Sequence, residues 1–359
     1  MKVVYNEENV TCERHRIMRK KKSDSTVLYE IVKNDLPGFC AGYLINRENE
    51  RSIGTRLGYA RNLKTFFEYV TENMEEFKNR DVTEIHASEI SKITPREVDE
   101  FLAEFALERK PATAARMKSS ISSMYAYAAN TLQEITYNAT LGTQKIKKQE
   151  KDFVTYLTVE EQDRLLDCIR YGTGLTKREQ MHHGRYEKRD LAIVFLLLDT
   201  GLRVSELREA DNRDLNLEAC SIIVTRKGGK HSEVYFSDEA AYYLKDYIEE
   251  KKILHPAACG PADPLILSRD EGRLTVRQYE NIIPKYVHAA LPERYESINC
   301  HKLRSSFAMT FYMRDAEKGG RDLLALQQRM NHKSLTTTNV YAKAAGNISK
   351  QTRNWREGI

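Results

Sequence analysis

The run Thr200-Gly201-Leu202-Arg203-Val204-Ser205-Glu206-Leu207 decides how the second half of this chain reads. Before it, Asp190 to Leu198 forms a buried helix, eight of whose residues, Leu191 to Leu198, are an unbroken apolar run. Thr200-Gly201 ends that helix, and an arginine occupies the turn before another helix starts. Arg203 lies among Leu202, Val204 and Leu207, where an unpaired charge is costly, so it needs an anionic partner. Glu206 meets that need structurally; a bound phosphate meets it functionally.

Outward from this turn the pattern is mixed. Ser221 to Lys227 and Ser232 to Phe236 are β-rich runs joined at Gly228-Gly229-Lys230, a hairpin signal. A lysine at such a tip can swing over a ligand, and the glycines permit close approach. Ser237-Asp238 begins a helix through Leu244 and Ile248, and Leu265-Ile266-Leu267 reads as a short strand. Further helices are expected from about Val276, Lys302, Asp322 and Leu335. Upstream, Thr158-Val159-Glu160-Glu161 is a capping box ahead of Leu165, Leu166 and Ile169, while Gly172 to Lys188 reads as an irregular inserted loop. The expectation is mainly α with a small antiparallel β-sheet.

The first half is helical. Tyr59, Leu63, Phe66, Phe67 and Val70 recur at helical spacing. A second helix opens at Thr94-Pro95-Arg96-Glu97, a capping box with proline at the first helical position, and buries Val98, Phe101, Leu102 and Phe105. A third buries Met117, Ile121, Met124, Tyr125 and Ala128. Its other side, with Arg116, Lys118, Ser119, Ser120 and Ser122, suits phosphates or is a solvent face. Lys145 to Lys151 is polar and basic and reads as a linker. The expected organisation is a basic arm (1–24), a helical domain (25–144), a linker (145–157), a second domain (158–345) and a tail (346–359).

The 359 residues are enough for two to three domains, and a mean hydropathy of −0.61 with no apolar run near 18 residues excludes a membrane-spanning reading. Met1 to Lys22 is charged and carries no secretory signal. Cys12, Cys40, Cys168, Cys220, Cys259 and Cys300 are scattered without C-x-x-C pairing, which reads as reduced thiols in a cytoplasmic protein without a zinc site. Net charge is +5, and the excess is segregated. Arg109 to Gln149 holds seven Lys/Arg against one acid, His301 to Ile359 eleven against four, and Arg14 to Lys22 six against none. Such segregation fits a polyanion partner, or ordinary solvated helix faces.

Two further patterns complete the set. In His301-Lys302-Leu303-Arg304 the first and last residues share a helix face, though a lone histidine is more commonly a core group. In Met330-Asn331-His332 through Tyr341, the tyrosine by itself would usually be a core or interface anchor. Together, Thr200 to Leu207, Lys227, the H-x-x-R pair and the histidine nine residues before Tyr341 resemble the tyrosine recombinase (phage integrase) family over roughly residues 150 to 345. Lys227, 24 positions after Arg203, matches the hairpin lysine. Met330 and Asn331 stand where Leu and Gly are usual, and Ser305 follows Arg304 where histidine is frequent.

The resemblance implies a two-domain C-shaped DNA clamp, a helical core-binding (SAM-like) domain plus a catalytic domain. Tyr341 would attack the scissile phosphate to give a 3′-phosphotyrosine. Arg203 and Arg304 would hold the non-bridging oxygens, Lys227 would protonate the leaving 5′-oxygen, His301 would act as general base and His332 would hydrogen-bond the phosphate. Glu206 would support the site. Arg116, Lys118, Lys145, Lys147, Lys148, Arg226 and Lys230 would contact DNA. No metal or cofactor is implied. The partners would be double-stranded DNA with a specific site and other copies of the chain: a dimer on one site, a tetramer in synapse, with an accessory protein in some systems. Ile348 and Trp355 would anchor the tail on a neighbouring protomer. Lys188 to Val194, Asp214 to Leu217 and Thr225 to Lys230 are similar to Xer enzymes of the XerS-type single-recombinase form, implying chromosome-dimer resolution; a mobile-element integrase is the close alternative. Type IB topoisomerase-like relaxation and a non-catalytic DNA-binding regulator are the more distant ones.

Overall fold

The computed structural model describes residues 23–45, 52–144, 154–226, 229–317 and 322–356; the side chains of 315–317 and 348–356 lie outside that description. The basic arm up to residue 22 and linker residues 145–153 therefore lie outside the described residues. The chain divides into two compact units, Met1–Glu150 and Lys151–Ile359.

The first unit is helical: α1 (Asp24–Asn34), α2 (Cys40–Leu44), α3 (Ile53–Asn73), α4 (Pro95–Ala106) and α5 (Pro111–Tyr127), with short 3-10 turns between α3 and α4. On α3, Leu63, Phe66, Phe67 and Val70 are fully buried, an apolar stripe repeating every three or four residues. The capping box at α4 forms as expected: Glu97 N–H donates to Thr94 Oγ1 (3.3 Å) and Thr94 N–H to Glu97 Oε2 (2.8 Å). Its Phe101 packs edge-on against Phe66, ring centroids 5.2 Å apart. Ser120 departs from the expectation of a polar outer face. It is fully buried, receiving a 2.8 Å bond from Asn62 Nδ2, because three residues after Met117 and four before Met124 it shares their face.

The second unit holds α6 (Val159–Tyr171), α7 (Lys177–Thr200), α8 (Val204–Glu209), α9 (Asp238–Leu254), α10 (Val276–Ala290), α11 (Cys300–Glu317), α12 (Leu323–Met330) and α13 (Leu335–Arg356). One antiparallel sheet, β1 (Leu215–Asn216), β2 (Ser221–Thr225) and β3 (His231–Tyr235), stacks in that order, with Leu215 opposite Ile222 and Ile222 opposite Val234. The fold is thus mainly α with a small antiparallel sheet. The main core is built around α7, whose Ile193, Val194 and Leu196 are fully buried. Asp190, wholly buried on α7, takes Arg189 Nη2 at 2.7 Å, Lys285 Nζ at 3.3 Å and Tyr286 Oη at 2.9 Å, pinning α7 to α10 with its charge fully paired.

Three local expectations are corrected. The inserted loop Gly172 to Lys188 shrinks to Gly172–Thr176, because Thr176 and Glu179 make a capping box that starts α7 at Lys177, thirteen residues before the expected start at Asp190. Leu265 to Leu267 is not a ladder strand; it runs between isolated bridges at Pro264 and Leu267, and its apolar side chains are there to fill the core. The last linker residues belong to the second unit, since Leu157 is fully buried and its N–H donates to Ser306 Oγ at 2.7 Å. Among the described residues Cys40, Cys168, Cys220, Cys259 and Cys300 are free thiols, and no helix is long and apolar enough to cross a membrane.

Gly201 ends α7 at φ +64°, its N–H bonded to Leu197 O at 3.0 Å. A Cβ there would lie 2.4 Å from the Phe307 ring. Gly201→Ala is expected to lower stability by at least about 1–3 kcal/mol. Gly184→Ala, mid-helix with open space around it, should instead raise it by roughly 0.5–1 kcal/mol. Denaturant midpoints of the two variants would move in opposite directions.

Candidate active site

The α7–α8 turn makes the first wall. Arg203 is the N-cap of α8 and Glu206 its third residue. Glu206 is 4% exposed and accepts three N–H donors: Arg203 N–H at 2.9 Å, Arg203 Nη1 at 2.7 Å and Arg226 Nη1 at 2.7 Å. Burial opposes its charged form, but the Arg203 N–H and the two guanidiniums outweigh it and hold the carboxyl below its ordinary pKa. Arg203 keeps a 40% exposed side chain, so part of its guanidinium faces outward.

Arg226 is not where sequence reasoning puts it. Expected on a DNA-facing surface, it is 6% exposed and paired inward with Glu206. The cause is the period of the strand: Ile222, Val224 and Arg226 share the inward face of β2 and its continuation. That alternation is the signal that could have found it. Beyond it, Arg226 N–H donates to Lys230 O at 2.7 Å and Gly229 N–H to Arg226 O at 3.0 Å, and Lys230 is exposed. Lys227 lies outside the described residues.

The second wall is α11. Arg304 is 3% exposed, and its two Nη groups donate to the carbonyls of Gly201 and Met330, the ends of α7 and α12. Burial and then Arg203 push its pKa down to about 10, so it stays charged at neutral pH. One turn earlier, His301 is exposed, with its N–H on Asn299 Oδ1 at 3.0 Å. Partial desolvation, followed by the charges of Arg304, Lys302 and Arg203, lowers its pKa.

The third wall is the α12–α13 turn. Asn331 takes the left-handed conformation at φ +44°, which asparagine tolerates better than most residues, and so it does the work of the usual glycine. Met330 is fully buried where leucine is usual. Gln327 brackets His332, accepting its N–H at 3.1 Å and donating Nε2 to its carbonyl at 3.0 Å. His332 Nδ1 is 3.0 Å from Thr338 Oγ1, a buried hydroxyl that no sequence signal marks. Desolvation, then Arg304, Arg203 and His301, drives its pKa down to about 4. Its ring stacks on Tyr341, centroids 6.4 Å apart and planes 10° from parallel. Tyr341 is 6% exposed, packed in a small cluster with Phe307, Leu326, Met330 and Ala344, and its phenol is within electrostatic range of Arg304.

Arg203, Glu206, Arg226, His301, Arg304, His332 and Tyr341, spread over some 140 residues of chain, thus converge in the second unit. The arginines outnumber the one carboxylate among them, leaving a cationic cup suited to a tetrahedral anion. No group of three or more His, Cys, Asp or Glu among the described residues could hold a metal ion. The other expected DNA contacts divide. Arg116 is exposed on α5, whereas Lys118 is half-buried and donates to Thr143 O (3.3 Å) and Gln144 O (2.9 Å), tying α5 to the following turn. Lys145, Lys147 and Lys148 lie outside the described residues, as do the side chains of Ile348 and Trp355. The backbone of α13 continues without a break from Tyr341 to Arg356, so the expected tail begins as that same helix.

Comparison with known proteins places these elements in context. A model described as "Phage integrase family" matches residues 155–347. The chain is 27% identical over 300 residues to tyrosine recombinase XerC of Caldanaerobacter subterraneus subsp. tengcongensis, covering 81% of this chain and 78% of that one. It is 26% identical over 343 residues to tyrosine recombinase XerS of Lactococcus lactis subsp. cremoris (87% and 93%). Its fold is similar to that of the XerH site-specific recombinase in a post-cleavage complex with palindromic difH substrate: TM-score 0.66, 18% identity, covering 93% of this chain and 94% of that one.

The histidine shifts have a testable consequence for stability. With His332 at about 4 in the folded state against an ordinary 6.5, the unfolded chain binds more protons between those values. The stability this group contributes is therefore complete above about pH 6.5 and lost as pH falls toward 4. His332→Gln should flatten the fall in denaturant midpoint between pH 7 and pH 5; an unchanged slope would refute the assignment of that slope to His332.

Proposed function

Because the chain belongs to the phage integrase family, we propose that it carries out site-specific DNA recombination through a covalent intermediate on Tyr341. It is a tyrosine site-specific recombinase, similar along most of its length to XerC and XerS proteins. The convergence of Arg203, Arg304, His301 and His332 around Tyr341 is the observation that supports the residue roles.

In this reading Tyr341 Oη attacks the scissile phosphorus, its proton passing to His301. The bond between phosphorus and the 5′-oxygen breaks as a tyrosyl–phosphate bond forms, and Lys227 delivers a proton to the departing 5′-oxygen. The DNA is left with a 3′-phosphotyrosine and a free 5′-hydroxyl. The 5′-hydroxyl of a partner strand reverses the step, and two such rounds through a Holliday junction complete recombination. The phosphoester energy is kept on the protein throughout, so no nucleotide is consumed.

Arg203 and Arg304 take the charge that builds on the non-bridging oxygens, since fixed guanidinium donors stabilise it without reorganising. Arg304 uses only two of its five N–H donors on Gly201 and Met330. Those bonds hold the guanidinium while others remain for phosphate. His332, neutral near pH 7, hydrogen-bonds the phosphate. Tyr341 must leave its packing to attack, and the burial it gives up is on the order of 1.5–3 kcal/mol, small beside what DNA binding supplies.

The partners are double-stranded DNA bearing a recombination site and further copies of the chain, as a dimer on one site and a tetramer in synapse. Arg116 and Lys230 contribute to the electrostatic grip on phosphates. The N-terminal unit serves as the core-binding domain and the second as the catalytic domain. The match to XerS over 93% of its length favours chromosome-dimer resolution in the cytoplasm.

Tyr341→Phe should abolish covalent trapping on a nicked suicide substrate while DNA binding survives within a few-fold. An adduct still formed by this variant would eliminate Tyr341 as the nucleophile. Mapping the adducts of the wild-type protein on genomic DNA tests the role: one locus near the replication terminus supports resolution, the ends of a mobile element contradict it.

A further inference from the structure

His332 is held from two sides. Gln327 fixes its backbone, accepting the His332 N–H at 3.1 Å and donating Nε2 to its carbonyl at 3.0 Å. The ring is fixed from α13: it lies within 10° of parallel to the Tyr341 ring, and its Nδ1 is 3.0 Å from Thr338 Oγ1. Thr338 stands three residues before Tyr341, so both contacts come from one face of that helix. Thr338 is fully buried. A hydroxyl at such a position needs a partner that valine, of nearly the same shape, would not.

The direction of the Thr338–His332 bond decides what the imidazole can do. A neutral ring carries one N–H, so Nδ1 either donates to the hydroxyl or accepts from it. A threonine inside a helix can send its hydroxyl proton to the carbonyl four residues back, here Ser334 O. Among the described residues, Thr338 Oγ1 instead has His332 Nδ1 as its hydrogen-bond partner. Were Oγ1 to accept from Nδ1–H, its own proton would be buried without an acceptor, at the full desolvation cost of that group. Donation leaves only spare lone pairs on the oxygen, the lesser loss. The hydroxyl proton therefore belongs on the bond to Nδ1, and the ring proton on Nε2. Desolvation and the charges of Arg304, Arg203 and His301 disfavour a second ring proton.

We propose that Thr338 is a positioning residue for His332: its hydroxyl donates to Nδ1, fixes the Nε2–H tautomer and leaves Nε2 as a hydrogen-bond donor to the scissile phosphate. This rests on the reading of His332 as a phosphate ligand during cleavage by Tyr341. The opposite tautomer would set a lone pair on Nε2 against the phosphate oxygens. Removing one preorganised donor of this kind costs on the order of 10²–10³ in rate, and a ring free to take either tautomer forfeits part of that.

The full-length protein provides a spectroscopic and a kinetic test. With ¹⁵N-labelled histidine, the ring resonances lost in His332→Ala identify His332 among the nine histidines. In the wild type near pH 7 they should show a protonated Nε2 and an unprotonated, hydrogen-bonded Nδ1. Thr338→Val should shift them toward a mixture of tautomers, and Thr338→Ser should restore the wild-type pattern. In single-turnover cleavage of a nicked suicide substrate, Thr338→Val should form the covalent adduct roughly 10-fold or more slowly with DNA binding kept, and Thr338→Ser should regain most of that rate. In a His332→Ala background the valine should cost less than about 3-fold, since no imidazole is left to orient.

A wild-type His332 protonated on Nδ1 overturns the proposal without any variant at position 338, so the test survives a Thr338→Val chain that fails to fold. A slow Thr338→Val with an unchanged tautomer, or with a loss that multiplies fully with that of His332→Ala, overturns it in favour of packing support for α13. Wild-type cleavage by Thr338→Val overturns it too. His332→Ala cleaving at the wild-type rate removes the phosphate role of His332 and the proposal with it, whereas a slow His332→Ala beside a wild-type Nδ1–H tautomer removes the proposal alone.

Discussion

The buried carboxylate of Glu206 is the constraint on which the site depends. Three arginines within one cup repel one another, and the structure has to offset that repulsion without filling the cup with acids that would also repel phosphate. A single buried carboxylate shared by Arg203 and Arg226 achieves this. It is small enough to leave the cup cationic and buried enough for its charge to act strongly on both neighbours. Arg304 needs no carboxylate of its own. Its charge is held by the Gly201 and Met330 carbonyls, the negative ends of two helices, where the helix dipoles favour a cation.

That arrangement makes the site a junction of helix ends. Arg203 caps α8, Gly201 closes α7, Met330 and Asn331 close α12, and Arg304 reaches from α11 to two of these termini. Helix ends carry unsatisfied backbone groups that must find partners. Here one guanidinium satisfies two of them, and in the proposed mechanism it is the same group that meets the phosphate. Stability and chemistry therefore share atoms, and the geometry of the cup is set by the same contacts that join the helices of the second unit.

The polar set was legible in the sequence through its resemblance, in order and spacing, to a known family. Arg203, Glu206, His301, Arg304, His332 and Tyr341 were singled out by the family resemblance of the ordered set, since each local pattern alone also fits a structural role. The capping boxes at Thr94 and Thr158 were legible for a local reason, since they depend on residues three apart. What was not legible depended on long-range burial. Arg226 looked like another basic residue at a hairpin tip until the inward face of β2 was known. Lys118 looked like a phosphate contact, and its actual partners are carbonyls 25 and 26 residues away. The start of α7 is a different case. The Thr176 to Glu179 box was present, but polar residues and Gly184 masked the helical period behind it.

The departures from the usual family pattern at Met330 and Asn331 show how such a site tolerates change. What position 331 must supply is a left-handed turn, so that the chain reverses and brings His332 beside Tyr341; asparagine can take that conformation without a glycine's entropy cost. What position 330 must supply is a buried apolar side chain and a carbonyl for Arg304, and methionine supplies both. Neither role depends on the identity of the side chain that family patterns record. In the proposed mechanism Arg203 and Arg304 differ in this respect, because only a guanidinium combines a permanent charge with a fork of donors matched to two phosphate oxygens. Substitution should therefore be permitted where a residue provides backbone shape or volume and resisted where it provides directed charge.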